Sequence, residues 1–229
     1  MNQISTSLLT CVLAFVGLIS SSHGQQEPAQ TNLRVLALPP RVQHAPLFLL
    51  QKKNSTIPLE VVANRLTGPY KATIQNRWRF SLSDKPAAEG ENVKLAASCA
   101  ALKSAAEQLV VLVKKSNSEM SYGAFAVDIG TSFKERQFLV VNLTSKEIAG
   151  DIGGKRVAFP PGEPIFVAPK DNIAKDLCHA MFLTREAQDP WKPFFSTNWP
   201  LKDKIRGLVF FYQDPSGRKI LIHTVSDFL

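Results

Sequence analysis

The chain has 229 residues, of which 45% are hydrophobic, 20% charged and 9% aromatic. That balance excludes a disordered or low-complexity polymer. The 15 prolines and 12 glycines follow no period, which excludes a collagen-like chain. The formal charge of +8 is spread along the chain, densest at Lys52-Lys53, Lys114-Lys115 and Lys155-Arg156. No arginine-rich tract or base-stacking motif accompanies it, which argues against nucleic acid. A diffuse positive field either attracts anionic partners, such as lipid head groups, acidic polysaccharide or acidic proteins, or simply keeps the protein soluble.

The apolar run Leu8 to Ile19 has the length of a secretion-signal core and is too short to span a bilayer comfortably. Ser22-His23-Gly24 places small residues three before and one before a cut, so residues 1–24 are expected to be a signal peptide and the protein to be exported, periplasmic or extracellular. Cys11 lies inside that run after Leu9-Thr10, not at the end of it as a lipoprotein signal requires. No later stretch approaches the roughly 18 apolar residues of a membrane-spanning helix. The segment carries no charged side chain, so the positive charge belongs to the mature chain.

Beyond it the local signals are strands. Leu33 to Leu38 alternates and ends at Pro39-Pro40; Phe138 to Leu143 and Leu208 to Tyr212 are short β-rich runs. Gly153-Gly154 and Pro160-Pro161-Gly162 punctuate two more. Asp214-Pro215-Ser216-Gly217 separates Val209–Tyr212 from Lys219–His223 as the turn of a hairpin. The segment Ala96 to Lys115 has helical propensity, but its counterpart in the duplication described next holds Asn198-Trp199-Pro200, and proline inside a helix costs about 3 kcal/mol. A strand, a turn or helical piece near Leu102 to Glu107, and a strand from Leu109 are expected.

Two blocks of internal similarity recur in the same order. In the first, Leu47–Leu50 lies over Phe138–Val141, and Ile57, Val61, Leu66, Pro69 and Ile74 follow over Ile148, Ile152, Val157, Pro160 and Ile165. In the second, Leu95, Ser98, Leu102 and Lys103 lie over Phe194, Thr197, Leu201 and Lys202, then Leu109–Val113 over Leu208–Tyr212 and Asp128 over Asp227. The chain is therefore expected to be all-β, with two tandem related β-sandwich domains over residues 31–128 and 133–229, joined at Ile129-Gly130-Thr131-Ser132.

The run Phe138 to Thr144, then Asp151-Ile152-Gly153-Gly154-Lys155, Pro160-Pro161-Gly162 and Trp199 resemble the second half's counterpart in a poorly characterised group of secreted bacterial proteins with tandem immunoglobulin-like domains. The resemblance implies an immunoglobulin-like or related sandwich, and carries no activity or catalytic residue.

Candidate chemistry is sparse. Cys178-His179-Ala180-Met181 has the residue types of a blue-copper site, but neighbours on a strand diverge and no second histidine lies upstream in that half; no metal or cofactor is expected. Asn54-Ser55-Thr56 and Asn142-Leu143-Thr144 match the glycosylation sequon. Cys99 and Cys178 either pair in oxidising space or remain buried thiols. Gly-x-Ser-x-Gly and His-Glu-x-x-His are absent from the sequence, and Asp84, Glu89, Glu91, Asp171 and Asp176 read as solvated loop residues. Trp191, Pro193, Phe195, Thr197 and Trp199 alternate and would share one strand face, with Lys192 and Lys202 nearby. That face is either a stacking platform for a sugar ring or a partner's apolar side chain, or part of the core. Two functional classes survive: a non-enzymatic exported envelope or extracellular protein, binding or structural, whose partner is a protein or anionic glycan, with the membrane surface a further anionic option; and a secreted hydrolase of envelope polysaccharide or peptide.

Overall fold

The computed structural model describes every residue except 1–28, 40–43, 53–54, 63–64, 86–93, 116–120, 171–175, 187–188 and 215–216. The expected signal peptide and the Asn54 sequon lie outside the described residues. Those residues form sixteen strands and no α-helix. The first half holds β1 (Gln30–Leu38), β2 (Leu47–Leu50), β3 (Thr56–Leu59), β4 (Thr67–Thr73), β5 (Arg77–Ser81), β6 (Leu95–Ala100), β7 (Glu107–Lys114) and β8 (Tyr122–Asp128). The second holds β9 (Phe138–Asn142), β10 (Glu147–Ile152), β11 (Lys155–Phe159), β12 (Pro164–Val167), β13 (Leu177–Arg185), β14 (Lys192–Pro200), β15 (Ile205–Gln213) and β16 (Ile220–Phe228).

Each half is a pair of four-stranded sheets, ordered β3-β2-β5-β6 and β4-β1-β7-β8 in the first, and β11-β10-β13-β14 and β12-β9-β15-β16 in the second. The two orders are the same with eight added to every strand number. All neighbours are antiparallel except β1 with β7 and β9 with β15.

Those parallel pairs sit at the centre of the molecule and are apolar on both faces. On β1 and β7, Leu33, Val35, Val110 and Leu112 face the first sandwich core, which also holds Leu47, Leu49, Trp78 and Phe80. Leu36, Leu38, Leu109 and Val111 face the opposite way, onto Leu139 and Val141 of β9 and Leu208 and Phe210 of β15. Phe138, Val140, Val209 and Phe211 then face the second core, with Ile152, Phe159, Phe182 and Trp199. Four sheets and three apolar layers are thus stacked, and strands buried on both faces explain the unbroken runs at 109–112, 138–141 and 208–211. Gly207 stands opposite Phe138 on β9, whose ring occupies the space a β-carbon would take.

The segment with helical propensity is the β6–β7 connection. The Gln108 side chain is fully buried; its Oε1 accepts from Trp78 Nε1 at 2.9 Å and from the Leu102 N–H at 3.0 Å, and its Nε2 donates to the Leu102 carbonyl at 2.8 Å. These bonds take both backbone groups of Leu102, which a helix through this segment would need for itself. The C-terminal hairpin forms as expected, β15 against β16 from Ile205↔Phe228 to Gln213↔Ile220.

The strand orders correct part of the sequence alignment. The second block places β6 over β14 and β7 over β15, as the topology does, but the first block places β2 over β9, whereas β2 corresponds to β10 and β9 to β1. Asp128 and Asp227 are not equivalent either. Leu109 pairs with Val127 and Leu208 with Val225, so the partner of Asp128 in the repeat is Ser226. Asp128 caps the Gly130 N–H at 2.9 Å, while Asp227 is buried at the seam between the halves.

There Asp227 accepts from Arg206 Nε at 2.9 Å and Nη2 at 2.5 Å, and from Arg34 Nη1 at 2.6 Å. Arg206 also donates through Nη1 to the carbonyls of Ile129 and Phe133, at 2.8 and 2.9 Å, and lies over the Phe133 ring. One guanidinium therefore clamps the link between the halves, and one carboxylate ties β16 to β1. The sequon at Asn142 is likewise structural. Its side chain is fully buried, donating to Lys146 O and Phe159 O and accepting from Thr144 N and Oγ1, so its Nδ2 cannot carry a glycan.

Removing the buried carboxylate strands the buried Arg206 guanidinium and leaves Arg34 only Glu107, 3.8 Å away. Asp227→Ala is expected to cost about 3–5 kcal/mol, while Asp128→Ala costs no more than about 1 kcal/mol; urea unfolding of the two variants measures the contrast. His44 and His223 give a second test. Burial lowers both from the ordinary 6.5, and neither His44 Nδ1 nor His223 Nε2 has a partner among the described residues. Below that value the unfolded chain binds protons that the folded chain refuses, so stability falls as pH drops. A His44→Gln/His223→Gln variant should show a flatter unfolding midpoint between pH 6.5 and the onset of carboxylate titration.

Candidate binding surface

A one-residue bulge decides where the aromatic stripe goes. Along β13 and β14, Cys178 pairs with Trp199, Ala180 with Thr197 and Phe182 with Phe195, but Leu183 then pairs with Pro193, skipping Phe194. The alternation expected from Trp191 to Trp199 breaks at that point. Trp199 is a core residue, 8% exposed, with its ring 5.1 Å from Phe138 and 5.6 Å from Phe182. Phe195, 37% exposed, leans on Phe182 at 6.5 Å, and Phe194 packs edge-on against Phe211 at 6.1 Å. Trp191 is left apart from these rings, 38% exposed, with Pro193 on the outer side of the sheet beside Leu183.

That outer face has a readable grid. Ala158, Ala149, Leu183 and Pro193 run across the four strands as one apolar row, and Arg156, Asp151, Met181 and Ser196 form the next. The two alanines make the row shallow. In the row on its other side Glu147 pairs with Arg185, whose guanidinium lies 4.7 Å over the Trp191 ring and whose Nε bonds the Glu147 carboxylate. A cation held on both sides in this way fixes the indole against the sheet. Beside it Lys146 bonds Glu186 and holds that carboxyl below its ordinary value. Lys192 is exposed, 3.7 Å from Asp189. Lys202 is exposed in the turn after β14, roughly 30 Å of strand away from Trp191, and does not join this patch.

A second feature lies at the β10–β11 turn, a concavity lined by Asp151, Gly154, Lys155, Arg156 and Lys170. Its single carboxylate caps the Gly154 N–H at 2.7 Å and lies 3.8 Å from Arg156. Three cations around one committed carboxylate suit an anionic group better than acid–base chemistry. Asp84 and Asp176 are exposed; Glu89, Glu91 and Asp171 lie outside the described residues.

The cysteines do not pair. Cys99 belongs to the first core and Cys178 to the second, with the central apolar layer between, and both are free. Burial pushes each thiol up to about 11. Cys178 points inward and His179 outward, where it meets Asn198 at 3.2 Å; as on any flat strand, the two do not converge. Arg185, Glu147 and the Asp227 network escaped the sequence reading, although Arg34 and Arg206, lone charges within apolar strands, were a signal that a buried partner existed.

No protein-family model matches the chain, and no curated protein is similar to it in sequence.

Trp199 and Trp191 should separate cleanly by substitution. Trp199→Ala is expected to lower stability by about 3–5 kcal/mol, and Trp191→Ala by under about 1 kcal/mol. In the folded protein Cys99 and Cys178 should resist a thiol reagent that labels both after denaturation.

Proposed function

We propose that this is an exported, non-enzymatic binding protein, and that the outer sheet of its second half, β11-β10-β13-β14, is the contact face for a protein or anionic glycan. The observation that carries the reading is Trp191, exposed beside an apolar row yet held in one orientation by Arg185 and Glu147. A pre-oriented aromatic offers a large contact area at little entropic cost, which is the usual character of a binding hot spot. The cations at the β10–β11 turn and the formal charge of +8 support a partner that carries negative charge. Export rests on the N-terminal sequence pattern. The relation to immunoglobulin-like domains rests on two facing, mainly antiparallel sheets per half. The order 3-2-5-6 facing 4-1-7-8 differs from 1-2-5-4 facing 3-6-7 of the immunoglobulin constant type, so a related sandwich is the closer description.

The test is a photo-crosslinker placed at Leu183 in the exported protein, with mass spectrometry of the adducts and a parallel panel of acidic polysaccharides. A discrete protein adduct or a bound polysaccharide, lost in Trp191→Ala and retained in Lys202→Ala, is the expected result. Adducts indifferent to Trp191, together with no retained polysaccharide, would remove this face from consideration.

A further inference from the structure

The two sandwiches differ at one edge. In the first half β6 and β8, the last strands of their sheets, lie against each other and close the sandwich. In the second half β14 and β16 make no comparable contact among the described residues. The physical reason lies in side-chain size. Ala96 and Ala97 line the closed edge and are fully buried, whereas Phe194 and Phe195 stand on β14 and half-buried Ile220 and Ile222 on β16. The rings prop the second sandwich open.

Among the described residues this leaves β16 with an unused hydrogen-bonding edge. The Asp214 N–H bonds to Lys219 O and the Leu229 N–H to Lys204 O. By antiparallel alternation, Leu221, His223, Val225 and Asp227 spend their main-chain groups on β15, and Ile220, Ile222, Thr224, Ser226 and Phe228 point theirs outward. Every other described edge strand is guarded in a way that discourages pairing. β3 carries Pro58, β4 carries Pro69 and Lys71, and β11 carries Lys155 and Arg156. β12 is four residues long and begins with Pro164, and β14 carries Lys192, Pro193 and Pro200. β6 and β8 cover each other. β16 is nine residues long and has no Lys, Arg, Glu or Pro; its one acid, Asp227, is turned onto the seam network.

We infer that β16 pairs with β16 of a second copy, antiparallel about a two-fold axis at Thr224, to make one continuous sheet across a dimer. That register uses all five outward residues. Thr224 meets its own copy, Ile222 meets Ser226, and Ile220 meets Phe228, with no like charge opposite another. Because only one described edge is open, the contact is self-complementary and closes at two chains rather than running on as a fibre.

The experiment is sedimentation of the purified protein across a concentration series, with oxidative crosslinking of single-cysteine additions. Wild type should pass from one chain to two as concentration rises. Thr224→Pro removes an N–H that β15 does not use, and Thr224→Lys sets two charges face to face; both should stay monomeric with unchanged circular dichroism. Thr224→Cys should oxidise to a covalent dimer, since directly opposed residues in a hydrogen-bonded pair lie about 5.5 Å apart at Cα, and Ser226→Cys should not. A wild type that is monomeric throughout, or a dimer that survives both Thr224→Pro and Thr224→Lys, overturns the inference. So does a monomer that takes up an added extended peptide along β16, which would assign the edge to another protein.

Discussion

The architecture depends on two sheets that must be dry on both sides. β1, β7, β9 and β15 carry apolar residues at successive positions, so each needs cover above and below. Cover on one side comes from the outer sheet of the same half, and on the other from the inner sheet of the opposite half. The central layer draws on β1, β7 and β8 from one side and on the corresponding β9, β15 and β16 from the other. The link between halves then crosses an apolar seam, where its carbonyls would lack partners. Arg206 supplies them for Ile129 and Phe133, and Asp227 makes burial of that guanidinium tolerable.

Within this plan the two halves have diverged by exchanging volume between neighbouring strands. In the first, Trp78 on β5 stands opposite Cys99 on β6; in the second, Cys178 on β13 stands opposite Trp199 on β14. At the next pair Phe80 opposite Ala97 becomes Ala180 opposite Thr197, where bulk is lost rather than exchanged. The Trp–Cys pair keeps its sum, as a close-packed interior demands, but its bulk moves from a central strand to an edge. The burial of both thiols follows from that exchange, since each cysteine stands opposite the tryptophan of the neighbouring strand.

Much of the fold was legible because it is local. Alternation at Leu33–Leu38, the Asp214–Gly217 turn and the apolar runs of β7, β9 and β15 announce strands without reference to anything distant. The repeat was legible in its second block, where β7 and β15 have matching two-sided runs. It misled in the first, because Leu47–Leu50 and Phe138–Val141 are both short apolar runs, and only strand pairing shows that they belong to different sheets. The aromatic stripe failed for a similar reason. Strict alternation from Trp191 to Trp199 assumes a flat strand, and a single skipped residue at Phe194 sends Trp191 outward and Trp199 inward. The Arg34–Asp227 pair joins residues 193 apart in the chain, a separation over which no local pattern speaks.

The near-symmetry of the central layer bears on how such a chain could come to exist. A single half, made on its own, would present Leu36, Leu38, Leu109 and Val111 to water, and the surface best shaped to cover them is the same surface on another half. Two separate polypeptides meeting there would already form the four-sheet stack. Joining them end to end adds only the short link held by Arg206, and it frees each half to change independently. In those terms the tandem chain is laid out as two like subunits joined end to end, and the Trp–Cys exchange is an asymmetry that two copies of one chain could not carry.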